Sequence, residues 1–378
     1  MYIRPERRRR RWPWLIVLAI IGLGAGYYTG LLPTDRLPAR FRRFREQTAP
    51  GPVDSAVELA AEHLIAANQA LDQGDVDTAI AEYRAALEIN PENVTALTRL
   101  AHLLTIRRSY DEAVKTARRA TEIAPDNPDT HATLAMALDW AGQPDAAIEA
   151  ALRALDLNDQ HVPALAYLAE AYADKGRWKQ SMESAQQAIE LDPDNFVAQR
   201  NLGYVREAQG DYQGAIDAYR QAISLQPNLS YVYLDVARNL RILGDTQGAI
   251  VEVERATAVD PNDPAPYDQL GLIYYTNQEF ERAAAEYQKA IEANPDYALP
   301  YGHLGWVLYA QRQYEEAIDQ FKKALDLGAD SVEYYYEIGL SYALIDQCED
   351  AIPWLEKALE IDPNSQPAHQ GMQLCGQE

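Results

Sequence analysis

The sequence predicts an all-α solenoid of nine helical hairpins, each 34 residues long, preceded by one membrane-spanning helix. Three observations predict it. The chain lays out at period 34 from Ala60 to Ser365 with no insertion. Small residues recur at fixed columns of that period, and a proline closes most repeats. Near the start, Trp12 to Thr34 runs without one charged residue. Internal periods of this length are the mark of stacked repeats, in which each unit buries its apolar face only against its neighbours.

Charge divides the chain in two. Residues 1–48 hold eleven arginines against Glu6, Asp35 and Glu46, whereas the remainder holds 23 basic and 54 acidic residues. The acidic body argues against nucleic acid as a partner, because phosphate contacts need clustered Lys and Arg. The basic arm, residues 1–11, fits a membrane flank. The six histidines show no metal-ligand spacing and none lies near a cysteine, so they read as isolated surface or interface residues, and neither metal nor cofactor is expected.

Residues 12–34 are long enough to cross a bilayer, which needs about 20 apolar residues in a helix. Trp12 and Trp14 mark one end, Tyr27 and Tyr28 the other, as interfacial aromatics do. A cleavable signal peptide with Leu15 to Gly24 as its apolar core and Gly24-Ala25-Gly26 as its cleavage site is the competing reading. The absence of a following cysteine excludes a lipoprotein anchor. Six arginines precede the span and five follow it. The compact run at the start reads as a signal anchor with a cytoplasmic N-terminus, placing the repeats outside the cytoplasm. Gly22, Gly26 and Gly30 share one helix face, a seam through which two spans could form a homodimer; glycine is also simply common in membrane helices. Residues 35–59 form a Pro- and Arg-rich linker and lead-in.

Repeats start at Ala60, Val94, Pro128, Val162, Phe196, Ser230, Pro264, Ala298 and Val332. Column 8 is Ala or Gly in all nine (Ala67 to Gly339), column 20 is Ala except Ser181, and column 27 is always Ala. Column 7 is the large partner, Leu100 to Ile338 after Ala66 in the first repeat. Large against small fills a helical stack without voids. Column 32 is proline in seven repeats, ending the second helix, and Gly74, Gly142, Gly176, Gly210 and Gly244 mark the turn inside the hairpin. Residues 366–378 continue the register as a short cap, with Met372 in column 7.

These columns resemble the tetratricopeptide-repeat (TPR) family. The seventh repeat matches its pattern closely: Tyr267, Leu270-Gly271, Tyr274, Phe280, Ala283, Tyr287, Ala290 and Pro295. Departures are local, Asp159 and Ala329 replacing the stop proline and Pro144 and Cys348 the aromatic of column 17. The resemblance implies a right-handed solenoid whose concave groove is lined by the first helix of each hairpin. Columns 2, 5, 9, 12 and 13 then place Arg200, Tyr204, Tyr231, Arg238, Arg241, Tyr275, Trp306, Tyr309 and Tyr336 in the groove from the fifth repeat onward, with Asp72, Asp129, Asp139, Glu170 and Asp174 in the earlier repeats. Tyr, Trp and Arg dominate interface hot spots. The expectation is therefore a groove with an acidic N-terminal half and an aromatic-basic C-terminal half, receiving proteins or peptides. The alternative is core for the tyrosines and solvated faces for the charges.

The Lys/Asn set with which relatives clamp a C-terminal carboxylate is absent, as is the groove asparagine run of TPR glycosyltransferases, where Asn201 stands alone. The same resemblance puts Cys348 and Cys375 close enough for a disulfide, with two unpaired thiols as the alternative. No phosphate loop, nucleophile–base pair or catalytic domain is present, so no enzyme is predicted. The function expected is a membrane-anchored interaction scaffold that binds partner proteins or peptides through the groove and assists complex assembly, with substrate delivery to an assembly machine, as in the TPR proteins of cytochrome maturation that it resembles, as a third role. A structural, self-associating solenoid of the cell envelope is the alternative.

Overall fold

The computed structural model describes residues 55–377. The predicted span and its glycine seam lie outside them; among the described residues no helix is long and apolar enough to cross a membrane. The described chain is helical throughout. The hairpins are α1 (Ser55–Asp72) with α2 (Val76–Ile89), α3 (Val94–Ile106) with α4 (Tyr110–Ile123), α5 (Pro128–Trp140) with α6 (Pro144–Leu157), and α7 (Val162–Asp174) with α8 (Trp178–Leu191). There follow α9 (Phe196–Ala208) with α10 (Tyr212–Leu225), α11 (Ser230–Ile242) with α12 (Thr246–Val259), and α13 (Pro264–Thr276) with α14 (Phe280–Ala293). The last are α15 (Leu299–Ala310) with α16 (Tyr314–Asp326), and α17 (Val332–Leu344) with α18 (Cys348–Ile361), covered by α19 (Gln366–Leu374). Leu59–Glu378 is one compact unit.

Local chemistry sets the helix ends. Asn93, Asn127, His161, Asn195, Asp263 and Ser365 each precede a first helix, and their side chains accept a backbone N–H of its first turn. Such caps satisfy donors that the helix itself leaves free. Asp75, Asp211 and Asp245 do the same for second helices. The turn inside each hairpin needs one left-handed residue. Five repeats supply glycine there, with φ between 67° and 83°, but Arg108, Gln278, Arg312 and Asp346 adopt φ of 60–63° in the same column. A non-glycine residue is disfavoured in that region.

Hairpin packing follows a size rule. Where column 8 is glycine, the facing residue of the second helix is large: Gly203 meets Tyr219, Gly271 meets Tyr287, Gly305 meets Phe321 and Gly339 meets Leu355. A Cβ on any of these glycines would lie 2.5–2.7 Å from that side chain, closer than carbon atoms approach without repulsion. Where column 8 is alanine, the partner shrinks to Ala117, Ala151, Ala185 or Val253, all fully buried. Ala67 opposite Tyr83 is the exception. Each fully buried Tyr or Phe contributes on the order of 1.5–3 kcal/mol, so the glycine positions are where the stack is thickest. The Tyr83 and Tyr219 hydroxyls reach Asn68 (2.8 Å) and Glu207 (2.9 Å), which removes the cost of burying them.

Candidate functional site: a lumen between the repeats

The solenoid does not present an open groove along its whole length. Its first two repeats meet its middle repeats edge to edge. Arg107, at the end of α3, places its guanidinium 2.7 Å from Asp260 and donates to Asp77 at 2.8 Å. Arg108 lies 3.5 Å from Asp263 and 5.4 Å from the ring centre of Tyr297. Asn228 donates to the Leu71 carbonyl at 2.5 Å. The hairpin turns of repeats one and two therefore touch the inter-repeat loops of repeats five to seven. Arg108, one of the four non-glycine residues in the left-handed turn, thus carries a side chain that crosses the superhelix.

The Arg107–Asp260 pair is largely buried, at 11% and 3% side-chain exposure. Removing one partner of such a pair leaves an uncompensated charge and costs about 3–5 kcal/mol. Here the chain can escape that cost by opening the edge contact and hydrating Asp260. Arg107→Ala is therefore expected to increase the radius of gyration in small-angle scattering while leaving the helix content unchanged; an unchanged scattering curve would show that the pair does not hold the edge.

Behind this closure lies a cavity of about 640 Å³, within the range of ligand pockets. It is lined from the near side by α5, α7, α9 and α11 and from the far side by Arg108, Tyr110, Ala265, Gln269 and Tyr297. The predicted groove residues divide accordingly. Arg200, Tyr204, Tyr231 and Arg238 converge on the cavity. Tyr275, Trp306, Tyr309 and Tyr336 lie half-buried along the later repeats, and Arg241 is half-buried outside the cavity. Tyr275 packs on Phe280 and Tyr309 on Tyr314, with ring centres 5.8 and 5.4 Å apart. Trp306 stacks on His303 at 5.4 Å.

Arg200 and Tyr231 line the cavity but are not free side chains: they are 7% and 8% exposed. The Arg200 guanidinium donates to Glu170 at 2.5 Å, lies 3.5 Å from Asp235, and sits over the rings of Trp140, Tyr204 and Tyr231 at 5.0, 5.6 and 5.9 Å. Nor are an acidic and a basic half separate. Asp139, Glu170 and Asp174 of the earlier repeats share the cavity with Arg200 and Arg238, because residues one repeat apart on successive first helices face each other across about one helix diameter. Asp72 is exposed, and Asp129 pairs with His161 at 2.9 Å.

The network is ordered by charge. Glu207 accepts from both Arg238 (2.6 and 2.9 Å), Asn239 (2.7 Å) and Tyr219. Burial opposes its charge most, but Arg238 together with the Asn239 and Tyr219 hydrogen bonds outweighs burial and holds its carboxyl below the usual carboxylate range. Asp139 is the reverse case. Burial, then the Glu170 and Asp174 charges, push its carboxyl up to about 9 despite Arg200. Half-buried His102 is pushed down to about 4 by desolvation and by Arg99 and Arg200. Glu207 and Trp140 fall in groove columns 12 and 13 without being among the predicted groove residues, and Asn239, in column 10, carries no sequence signal of the site. Among the described residues no His, Cys, Asp and Glu group is arranged to hold a metal. At the far end of the stack Cys348 and Cys375 are bridged, with Cα atoms 5.3 Å apart.

Comparison with curated proteins gives no match. Among solved structures, a chain of the APC/C hetero-tetramer Cut9-Hcn1 superposes with a TM-score of 0.59 at 20% identity, over 78% of this chain and 59% of that one. The chain thus spans about three fifths of that relative's length. A human IFIT1 dimer with PPP-AAAA gives 0.50 at 19% identity, over 76% and 69%. Yeast Tom70 gives 0.49 at 17%, over 84% and 81%. At such identities the likeness is one of fold. Family models are more specific. One described as tetratricopeptide repeat matches residues 70–137, 104–153 and 207–270. A second so described matches 133–196, 168–230 and 303–366, and a TPR-repeat model matches 271–311. Between them they run unbroken from residue 70 to residue 366, over the same hairpins whose helix starts recur every 34 residues: the chain belongs to the tetratricopeptide-repeat family.

Proposed function

We propose that the protein is a membrane-anchored interaction scaffold that receives a segment of a partner protein in the lumen and along the aromatic strip of its C-terminal repeats, assisting assembly of a complex. The observation that carries this reading is the lumen itself. It is a preformed concave site on rigid helices, continuous in chain order with the half-buried Tyr275, Trp306, Tyr309 and Tyr336. Large, stiff aromatics of this kind supply contact area at small entropic cost.

The apolar run Trp12–Thr34 supports a tether in a membrane. The Cys348–Cys375 bridge supports a solenoid outside the cytoplasm, where disulfides persist. A nucleic-acid ligand of the IFIT1 kind finds the wrong charge here: Asp139, Glu170, Asp174, Glu207 and Asp235 line the lumen against only Arg108, Arg200 and Arg238.

Photo-crosslinking in cells tests the reading. A benzophenone amino acid at Tyr309, in the aromatic strip, should trap a partner protein, whereas the same group at exposed Gln288 on a second helix should not. Equal adducts from both positions would overturn the proposed surface. Adducts consisting only of a second copy of this chain would favour the self-associating solenoid instead.

A further inference from the structure

Four of the five lumen carboxylates have partners. Glu170 takes Arg200 and the Trp140 indole N–H (3.1 Å). Glu207 takes Arg238, Asn239 and Tyr219. Asp235 takes Arg238 at 2.8 Å. Asp174 accepts the Tyr204 hydroxyl. Asp139 is 5% exposed, lines the cavity, and its Oδ1 has no hydrogen-bond partner. Arg108, the remaining cation of the wall, is held by Asp263 and Tyr297 on the far side. An unpartnered buried carboxylate is costly and uncommon in folded proteins. Positions where a chain retains such a cost are characteristically functional.

The surroundings say what would satisfy it. The lumen holds five carboxyl groups against three guanidinium groups, and neither Asp139 nor Asp174 contacts a cation. The indole of Trp140 and the phenol of Tyr204 line the same wall. Next to them, Arg200 already shows the chemistry in place: a guanidinium sandwiched against those two rings and paired to a carboxylate. Aromatic faces and carboxylates together form the standard receptor for an organic cation.

We propose that Asp139 and Asp174, with the adjoining Trp140 and Tyr204, form a receptor for one cationic side chain, the ammonium of a lysine or the guanidinium of an arginine, carried into the lumen by the partner segment. The inference rests on the scaffold reading above and names the chemistry its partner must present. It commits to a peptide-borne cation because the half-buried aromatic strip follows the lumen in chain order on the next repeats, and only a segment with flanking residues would cover both. Binding has a proton signature. Burial and then the Glu170 and Asp174 charges of α7 push the Asp139 carboxyl up to about 9 against Arg200 of α9, so it is expected to hold its proton at pH 7. An arriving cation displaces that proton. Affinity then rises between pH 7 and 9, by up to about tenfold per unit.

The full-length chain in detergent is titrated calorimetrically with acetylated, amidated pentapeptides Ala-Tyr-X-Tyr-Ala, where X is Lys, Arg, norleucine or Glu, and with free cadaverine. Lys and Arg peptides should bind at least tenfold more tightly than the norleucine and Glu peptides. Runs in phosphate and in Tris should differ by the heat of nearly one released proton. Asp139→Asn should abolish the cation preference and the proton release while raising the thermal midpoint, since it removes an unfavourable buried group; a higher midpoint also shows that the variant folds. Equal affinity for all four peptides, or a preference that survives Asp139→Asn, overturns the proposal. Cadaverine binding more tightly than the Lys peptide overturns the peptide-borne source. If cation preference is absent while Tyr309 still crosslinks a partner, this inference falls and the scaffold reading stands; if both are absent, the scaffold reading falls with it.

Discussion

Arg200→Ala is expected to destabilise the solenoid by about 3–5 kcal/mol, the cost of stripping one partner from a buried ion pair. The side chain joins three successive repeats: it contacts Glu170 on α7 and Asp235 on α11 from its own place on α9. Glu170 and Asp235 are 4% and 6% exposed, so neither can recover hydration without distorting the stack. Because a repeat array is stabilised by nearest-neighbour interfaces, the damage should concentrate in α7, α9 and α11. Hydrogen exchange should accelerate there before it does in α15 to α18.

The pH dependence has a definite sign. Burial, only partly opposed by Arg200, already holds the Glu170 carboxyl above its usual range. Without Arg200 that displacement grows. A carboxyl whose folded pKa exceeds its unfolded value binds more protons when folded, so stability rises as pH falls through the interval between the two. The deficit of the variant, measured by urea unfolding followed by circular dichroism, should therefore be smaller at pH 5 than at pH 7. A deficit independent of pH would mean that lost packing over Trp140, Tyr204 and Tyr231 outweighs the stranded charge. The triple change Arg200→Met, Glu170→Leu and Asp235→Leu should recover most of the loss, since it removes charges and keeps volume.

The second large effect is expected at the C-terminal end. The Cys348–Cys375 bridge closes a 27-residue loop. A cross-link of that span stabilises by about 3–4 kcal/mol through restriction of the unfolded chain. What it secures is α19, nine residues long, too short to persist alone. Its inner face, Ala368, Gly371 and Met372, covers Leu355 and the alanines of α18. In Cys375→Ser, or after reduction, residues 366–377 should exchange their amide protons far faster, and Leu355 should become accessible. The global unfolding midpoint should move less than the local protection, because interfaces far from the cap are untouched. Equal protection of α19 in oxidised and reduced protein would show that packing alone holds the cap.

How far the sequence could be read differs between the two sites of these predictions. The cap and its cysteines were visible as register: Met372 falls in the column of large residues, and the two thiols fall where a helical stack brings them together. The size rule that pairs column 8 with the facing residue of the second helix was half visible. Glycine in column 8 could be seen, but its pairing with Tyr219, Tyr287 or Phe321 across the hairpin emerges only when the two helices are seen in contact. The lumen was only partly legible as a site. Arg200, Tyr204, Tyr231 and Arg238 stand in groove columns, as do Glu207 in column 12 and Trp140 in column 13, but no column shows which residue pairs with which, and Asn239 lies in column 10, outside them.

By itself the sequence determined what one repeat dictates to the next: helix lengths, caps, the left-handed turn, the large-small packing, and hence the solenoid. These are short-range matters, decided within about 34 residues by sterics and hydrogen bonding. Only the tertiary structure decided what the accumulated rotation of those repeats brings together. A small angle per repeat, summed over five or so, sets Arg107 and Arg108 against Asp260 and Asp263, closes the groove into a lumen, and leaves Asp139 inside it without a partner. No local pattern encodes that sum, because each repeat contributes to it only a fraction of a turn.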